Sequence, residues 1–255
     1  MPGTFTYAII RTPAETCSRG ITTANLGAPS YEKALWQHRT YAQALKSIGL
    51  TVIELGPLPD YPDAHFVEDT AVVTADVAII CNPGAKSRQG EEKSIAGILE
   101  PYRRIARIQA PGTLDGGDVL MIGNHFFIGI SERTNQRGAE QLGRILEEHG
   151  RTYTIIAVGA GLHLKSSINY VGQSTVIAKP DFQGHKALGR YDAITTDLNE
   201  SYAANTLWVN DHLLMPEGFP NTKSKLKVLG LPIIELNVSE MRKMDGGLTC
   251  LSLRF

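Results

Sequence analysis

The strongest constraint on the fold of this chain is an order of segments that recurs five times along it. In each unit a helical pattern leads to a β-branched strand, then to a short segment rich in reactive side chains, and then to a tight hairpin. Because the reactive segments hold equivalent places in the units, closure of the units around an axis would bring them together. They are Phe66–Asp69, Leu114–Asp118, Leu162–Lys165, Ser201–Asn205 and Asp245–Cys250.

Apolar spacing of three to four residues predicts the helices. The pattern is clearest in 31–49, where Leu35, His38, Leu45 and Ile48 share one side and Gly49 is a typical stop. A β-branched run follows each helix, as expected for alternating α and β elements. The other predicted helices are 88–100, 134–149, 182–189 and 221–229, and the five runs are Val52–Leu55, Ile105–Ile108, Tyr153–Val158, Ala193–Thr196 and Ile233–Leu236.

Short turns predict a hairpin after four of the reactive segments, at residues 75–76, 123–124, 172–173 and 210–211. Glycine, asparagine and aspartate in such turns tolerate the positive φ that two-residue hairpins need. The fifth hairpin would lack its second strand, and we expect Tyr7–Arg11 to supply it and to close the ring. An ordinary mixed α/β domain with several hairpins is the alternative that the residues alone leave open.

Composition narrows the class of protein. The 255 residues suffice for a sizeable core, and we expect a single domain, residues 1–255, with internal pseudo-fivefold repeats. A net charge of −1 without a basic run disfavours nucleic-acid binding, and no apolar stretch approaches the roughly 20 residues of a membrane span. The N-terminus lacks a secretory pattern, and three cysteines without a C-x-x-C pair indicate a reducing compartment. We therefore expect a cytoplasmic protein.

Cys250 is the candidate nucleophile. Gly246 and Gly247 precede it and allow a sharp turn. Since a free thiol has a pKa near ~8.5, a cationic substrate or a protonated histidine would have to assist it. His163 is the candidate proton carrier. An inert buried cysteine and a core histidine are the alternatives when each residue is taken alone.

Carboxylates and arginines suggest the substrate. Asp60, Asp63, Glu68 and Asp69 fall within ten residues, but no second histidine and no Asp-x-Asp-x-Asp pattern accompanies them, so we expect no metal and no cofactor. Carboxylates bind a guanidinium bidentately, which suits an arginine-like ligand. The arginines at 88 and 133 each lie near a predicted helix start, where a substrate carboxylate would explain a cation. A surface arginine is the alternative.

A family resemblance spans nearly the whole chain. The matching segments, in the family's order, are Pro62–Asp69, Pro83–Arg88, Gly112–Asp118, Arg133–Asn135, Leu162–Ser166, Ser201–Asn205 and Lys243–Cys250. In them the sequence resembles the dimethylarginine dimethylaminohydrolases of the guanidino-modifying, or pentein, superfamily, and is most similar to the bacterial members. The resemblance implies one catalytic domain with an α/β fold, a five-bladed α/β propeller of ββαβ-like units.

The resemblance also implies a hydrolase that acts on methylated arginine. Cys250 would attack the guanidinium carbon of Nω-methylated arginine and form an S-alkylthiouronium. His163 would protonate the departing methylamine or dimethylamine and then activate water, giving citrulline. Asp69 and Asp115 would hold the guanidinium or orient His163. The other implied substrate-binding residues are Ile21 at a lid position, Asp63, Glu68, Arg88, Arg133, Met244 and Asp245.

Three other functions stay open at this point. Lys165, which follows the histidine, favours the dimethylaminohydrolases over the arginine deiminases, whose motif tends to carry an acidic residue there. A hydrolase of free arginine or of another guanidine, an amidinotransferase, and a non-catalytic propeller remain as alternatives. A homodimer is compatible with the sequence, which leaves the oligomeric state open.

Overall fold

The computed structural model describes residues 4–159, 162–182 and 184–255. None of the helices in these ranges is both long and apolar enough to cross a membrane. The helices are α1 (Tyr31–Ser47), α2 (Glu92–Leu99), α3 (Gln136–Glu148), α4 (Pro220–Leu226) and α5 (Ser239–Lys243). The strands are β1 (Tyr7–Arg11), β2 (Thr51–Leu55), β3 (Ala71–Val73), β4 (Val77–Ile80), β5 (Arg104–Arg107), β6 (Val119–Ile122), β7 (His125–Ile130), β8 (Thr152–Ala157), β9 (Ile168–Tyr170), β10 (Thr175–Ala178), β11 (Asp192–Thr195), β12 (Leu207–Val209), β13 (His212–Pro216), β14 (Ile233–Leu236) and β15 (Leu253–Arg254).

The described strands form five three-stranded sheets with one common topology. In each sheet the first and middle strands are antiparallel, and the third strand is parallel to the middle one. The parallel pair requires a crossover, which the helical segments of each unit supply. The chain therefore has an α/β fold, and the repeated order of segments is confirmed. The sheets are β3-β4-β5, β6-β7-β8, β9-β10-β11, β12-β13-β14 and β15-β1-β2.

The fifth sheet joins the two ends of the chain. Strand β1 is antiparallel to β15, with Ala8 opposite Arg254, and parallel to β2. The backbone N–H groups of Thr6 and Tyr7 both donate to the carbonyl of Phe255, at 2.9 and 2.8 Å. Since β1 has a partner on each side, it is not an exposed sheet edge. The prediction that Tyr7–Arg11 completes the last sheet is confirmed.

Four of the five predicted helices contain an observed α-helix. The hydroxyl of Ser30 accepts a hydrogen bond from the backbone of Lys33 and caps α1, whose buried residues include Tyr41 and Leu45. The helix predicted at 182–189 is wrong, because this part of the chain holds two short 3₁₀ turns, Pro180–Phe182 and Lys186–Leu188. Residue 183 lies outside the described residues. Gly184 adopts a φ of 73°, which a continuous α-helix does not permit.

The first strand of every sheet lines one common cavity. Each of these strands, β3, β6, β9, β12 and β15, follows one of the five reactive segments in the chain. A 3₁₀ turn overlaps every reactive segment and precedes its strand by at most two intervening residues. The fold therefore places the reactive segments at the same end of five strands that surround a common space.

Candidate active site

A second, smaller cavity is lined by ten of the eleven candidate site residues predicted from the sequence. Residues from four of the reactive segments meet here with two arginines and one residue of the loop after β1. Phe66, Leu162 and Gly246 complete the wall. The predicted residues on the cavity are Ile21, Asp63, Asp69, Arg88, Asp115, Arg133, His163, Met244, Asp245 and Cys250.

The reactive segments separate the two cavities. In each of four segments, one residue lines the smaller cavity while a residue next to it, or two positions away, lines the larger one. This alternation follows from the tight turns, which direct neighbouring side chains to different sides. The pairs, with the residue on the smaller cavity first, are Asp69 and Glu68, Asp115 and Gly116, His163 and Lys165, and Cys250 and Thr249.

Glu68 is the predicted residue that does not line the smaller cavity. The resemblance implies that it contacts the substrate's amino end or the network of the pocket, and the structure shows it facing the larger cavity. There its carboxylate is 2.7 Å from the Lys165 ammonium and 3.0 Å from the Arg254 guanidinium. The Glu68 carboxylate is thus held by two cations behind the catalytic segments. Its charge still acts on Cys250, as described next.

Cys250 is 9% exposed and lies in the 3₁₀ turn Thr249–Leu251. Its backbone N–H donates to the carbonyl of Gly247 at 3.2 Å, and its sulfur lies 3.8 Å from the hydroxyl of Thr249. Burial, followed by the negative charges of Glu68 and Asp69, raises the pKa of the thiol to about 12. The sulfur is therefore a neutral thiol at neutral pH in the absence of a cation beside it.

His163 lies between two carboxylates. Its Nε2 is 3.1 Å from Asp115 Oδ2, and its Nδ1 is 3.9 Å from Asp69 Oδ1. Burial lowers the pKa of the imidazole, but Asp69 and the hydrogen bond to Asp115 outweigh burial and raise it to about 9. His163 is therefore an imidazolium at neutral pH, with a proton to donate.

Backbone amides hold the two carboxylates in place. Asp115 Oδ1 accepts from the N–H of Gly84 at 2.9 Å, and Asp69 Oδ1 accepts from the N–H of Gly117 at 2.9 Å. A Cβ atom at Gly117 would lie 2.7 Å from both Asp69 Oδ1 and His163 Nδ1. Only glycine lets the backbone approach this close to the histidine and its partner.

Arg88 is buried and donates to groups within the protein. Its Nη1 is 2.5 Å from Asp69 Oδ2, and its Nε and Nη2 donate to the carboxylate of Glu91. Nη2 also reaches the carbonyls of Asp63 and Phe66, at 3.2 and 3.0 Å. The substrate contact predicted for Arg88 therefore competes with internal partners. The observed contacts make Arg88 the group that fixes Asp69.

Arg133 differs from Arg88, because no described residue forms an ion pair with its guanidinium. It lies two residues before Asn135, the N-cap of α3, and is half-buried on the wall of the cavity. Within the described ranges its guanidinium makes no hydrogen bond and no ion pair. This cation is available to an anionic group of a ligand.

The loop that carries Ile21 is bound to two acidic residues of the cavity. The backbone N–H of Ile21 donates to Asp63 Oδ2 at 3.1 Å, and that of Thr23 donates to Asp245 Oδ2 at 2.5 Å. The Thr23 hydroxyl donates to the same oxygen at 3.0 Å. Asp245 adopts a φ of 58°, and the neighbouring Met244 is buried. The loop is thus attached to carboxylates that themselves line the cavity.

The donor atoms of Asp69, Asp115 and His163 lie within 4.8 Å of one another, the spacing of a three-ligand metal site. A metal would need neutral His163, whereas these same carboxylates hold its proton. Metal binding would therefore displace a proton, and Arg88 already neutralises Asp69. The arrangement suits proton transfer better than metal binding.

Comparison with known proteins decides the family. Residues 57–210 match the family model described as arginine deiminase. The chain is 42% identical to N(G),N(G)-dimethylarginine dimethylaminohydrolase of Pseudomonas aeruginosa over 98% of its own length and the whole of that protein. The chain belongs to the dimethylarginine dimethylaminohydrolase family.

Solved structures of dimethylarginine dimethylaminohydrolases have the same fold. A Cys-to-Ser mutant from P. aeruginosa complexed with citrulline superposes with a TM-score of 0.98, at 41% identity over 99% of this chain and 100% of that one. A His-to-Gly mutant in an adduct with S-methyl-L-thiocitrulline gives a TM-score of 0.97, at 41% identity over 98% and 100% of the two chains. The family recognised from the sequence motifs is confirmed.

In this member of the dimethylarginine dimethylaminohydrolase family, Asp118 and Asn205 stabilise the turns next to His163 and Cys250. The sequence analysis gave these two residues no role. Asp118 Oδ1 accepts from the backbone N–H of Leu164 at 2.9 Å, and its Oδ2 accepts from the hydroxyls of Ser131 and Thr134. Asp118 thereby fixes the turn after the histidine. The recurrence of polar residues at equivalent places in the units was the available signal for both.

The raised pKa of His163 predicts how stability depends on pH. Below pH 6.5 the imidazole is protonated in folded and unfolded chains, so its full contribution to stability is present. As pH rises through the folded pKa of about 9, that contribution is lost. Relative to His163→Gln, we expect the free energy of unfolding to fall by on the order of 3 kcal/mol over this window. Urea titrations of both proteins at several pH values measure it, and parallel curves would contradict the assignment.

Proposed function

We propose that this protein hydrolyses Nω,Nω-dimethyl-L-arginine and Nω-methyl-L-arginine to L-citrulline and dimethylamine or methylamine. The single observation that carries the proposal is the meeting of the Cys250 thiol and the carboxylate-bound His163 in one acidic cavity. The 42% identity to a dimethylarginine dimethylaminohydrolase supports the same activity. The enzyme is then a hydrolase of C–N bonds in linear amidines.

The charges of the cavity fit the two ends of such a substrate. Carboxylates of Asp69 and Asp115 near the catalytic pair match a guanidinium, and Arg133 matches an α-carboxylate. Arg88 would add at most its remaining Nη1 donor to the α-carboxylate, because its other donors are engaged. Asp63 and the loop at Ile21 would contact the amino end and cover it, as their hydrogen bond on the wall of the cavity supports.

The first half of the reaction starts when the cationic substrate stabilises the thiolate of Cys250, whose proton leaves to solvent. The sulfur forms a bond to the guanidinium carbon, giving a neutral tetrahedral adduct. His163 then gives its proton to the methylated nitrogen as the C–N bond breaks. The amine departs neutral, a cationic S-alkylthiouronium remains on Cys250, and His163 is left as neutral imidazole.

The second half uses that neutral imidazole as a base. His163 removes a proton from water as its oxygen bonds to the thiouronium carbon. The C–S bond then breaks as the sulfur leaves, and the O–H proton of the product passes to the sulfur, which restores the Cys250 thiol. Citrulline and the starting imidazolium result. The carboxylates of Asp69 and Asp115 stabilise the imidazolium in both halves.

We further propose that the five sheets form a five-bladed propeller, as a single catalytic domain. The shared topology of the sheets and the cavity lined by all five first strands support this arrangement. The homodimer and the cytoplasmic location remain predictions from the sequence.

Product analysis by mass spectrometry tests the function. Purified protein receives Nω,Nω-dimethyl-L-arginine, Nω-methyl-L-arginine or L-arginine in separate reactions, with and without added glycine as an acceptor amine. Citrulline with the methylated amine is the expected result, with little turnover of arginine. Citrulline with ammonia from arginine would instead indicate a deiminase-like hydrolase, and turnover only with glycine an amidinotransferase. No product in any reaction would overturn the enzymatic proposal.

A further inference from the structure

The reactive segment Ser201–Asn205 has no part in the mechanism above, yet it contacts the other segments. Asn205 is buried, and its side-chain amide forms two hydrogen bonds with Thr249, the residue before the nucleophile. Asn205 Oδ1 accepts from the backbone N–H of Thr249 at 3.0 Å, and its Nδ2 donates to the Thr249 hydroxyl at 3.1 Å. The backbone N–H can only donate, so it fixes which side of the amide is oxygen.

The hydrogen bond from Asn205 Nδ2 leaves the hydrogen of the Thr249 hydroxyl available for another acceptor. Because the oxygen accepts from Asn205, its own hydrogen is free to point elsewhere. The neighbouring acceptor is the sulfur of Cys250, 3.8 Å away, within the reach of a hydrogen bond to sulfur. A donor aimed at the sulfur favours the thiolate over the thiol.

The same amide also reaches the histidine turn. Asn205 Nδ2 lies 3.3 Å from the carbonyl of Lys165, two residues after His163. Asn169 donates to that carbonyl too, at 2.7 Å, but its other contact is the carbonyl of Ala204 rather than the cysteine turn. Asn205 is therefore the described side chain that bonds directly to both turns.

Glycine and tyrosine neighbours keep Asn205 close to the cysteine turn. A Cβ atom at Gly247 would lie 2.4 Å from Asn205 Oδ1, so the backbone there passes directly against the amide. Tyr202, in the same segment, donates from its hydroxyl to the carbonyl of Gly246 at 2.9 Å. The segment thus supports the turn from Gly246 to Thr249 at successive points.

We propose that Asn205 is a positioning residue for the reaction, which turns the Thr249 hydroxyl toward the Cys250 sulfur and fixes the cysteine turn against the histidine turn. The expected effect of Asn205 on turnover rests on the proposed function. Its expected effect on the Cys250 thiol does not. The variants used below leave every charged or titratable group around the sulfur in place. These groups are Asp63, Glu68, Asp69, Arg88, Asp115, Arg133, His163, Tyr202 and Asp245.

The test measures alkylation of Cys250 by iodoacetamide against pH, followed by peptide mass spectrometry. With Asn205→Ala we expect the rate at pH 8 to fall about tenfold and the profile to move to higher pH, since a hydrogen bond to the thiolate is lost. Thr249→Val should match this loss, whereas Thr249→Ser keeps the hydroxyl and should react within about twofold of the wild-type rate. Asn169→Ala is the matched control and should retain the wild-type profile.

The double variant distinguishes positioning from general loosening. If Asn205 acts through the Thr249 hydroxyl, Asn205→Ala combined with Thr249→Val should react no more slowly than either single variant. Multiplied losses, or a wild-type profile for folded Asn205→Ala, would overturn the proposal. Should Asn205→Ala not fold by circular dichroism, equal rates for Thr249→Val and Thr249→Ser would overturn it instead. Turnover of Nω,Nω-dimethyl-L-arginine should show a lower kcat with little change in KM.

Alkylation does not depend on the identity of the substrate. If the wild-type protein alkylates normally but turns over no methylated arginine, the proposed function fails while the coupling of Asn205 to Cys250 is still measured. If turnover occurs and the alkylation profiles of all the variants coincide, only the positioning role is refuted.

Discussion

Changing Cys250 to serine is expected to lower kcat for Nω,Nω-dimethyl-L-arginine by at least about 10⁴-fold. A serine hydroxyl needs a base to become a nucleophile. The neighbouring His163 cannot serve, because its pKa of about 9 keeps it protonated. The cationic substrate assists a thiol, which ionises far more readily than a hydroxyl. Steady-state citrulline formation measures the loss, and rapid quenching followed by intact-mass analysis shows whether the covalent intermediate disappears with it.

The matched control is Cys81→Ala. Cys81 is a second buried cysteine, 3% exposed, in a hydrophobic cluster with Ile79 and Val119. Burial raises the pKa of its thiol well above the ordinary value, and the mechanism gives it no role. This variant should keep turnover within a few fold of wild type. Wild-type turnover in Cys250→Ser, or a substrate adduct that maps to another cysteine, would contradict the assignment of the nucleophile.

The fold could be predicted largely because its repeated unit has strong local signals. Asn210 and Asp211, with φ values of 47° and 59°, form the turn that joins β12 and β13, as their residue types indicate. The closure by β1 was predictable for a different reason. A strand-like run at Tyr7–Arg11 had no partner in its own unit, and the last unit lacked a strand.

The errors in the prediction have local and long-range causes. Apolar spacing in 182–189 favoured a helix, but the backbone at Gly184 leaves the helical region. For Glu68 and Asp69 the sequence gives two adjacent carboxylates and no means of telling which one faces which cavity. That difference depends on Lys165 and Arg254, which lie far away in the chain and bind Glu68 from the other side.

The residues of the candidate site could be predicted from the sequence, but the hydrogen bonds and ion pairs among them could not. Motifs named Cys250 and His163, and the fold brought them to one cavity. The hydrogen bonds of Arg88 to other residues of the protein could not be anticipated. The acceptors of a buried guanidinium are determined only when the chain has folded. Asn205 was missed for the same reason, since its contacts join residues 40 and 44 positions away.

Replacing His163 with glycine is expected to slow the first half of the reaction only when the leaving group needs a proton. The second half should be slow with either substrate. Dimethylamine must be protonated as it departs, so turnover of Nω,Nω-dimethyl-L-arginine should fall about 10³- to 10⁴-fold. S-methyl-L-thiocitrulline releases a thiol, which can leave as a thiolate without a proton from the enzyme. The first half should then still proceed, and the intermediate should accumulate because no imidazole remains to activate water.

Intact-mass spectrometry of His163→Gly with S-methyl-L-thiocitrulline tests whether the first half proceeds while the second half stalls. We expect a mass increase equal to the analogue less methanethiol, located at Cys250 by peptide mapping. Added imidazole should fill the space left by the ring, restore hydrolysis and discharge the adduct. His125→Gly is the control, because His125 pairs with Thr152 and Thr154 outside the cavity. If His163→Gly turns over dimethylarginine at the wild-type rate, or forms no adduct although it is folded, then His163 is not the proton carrier and one of the neighbouring carboxylates must take that role.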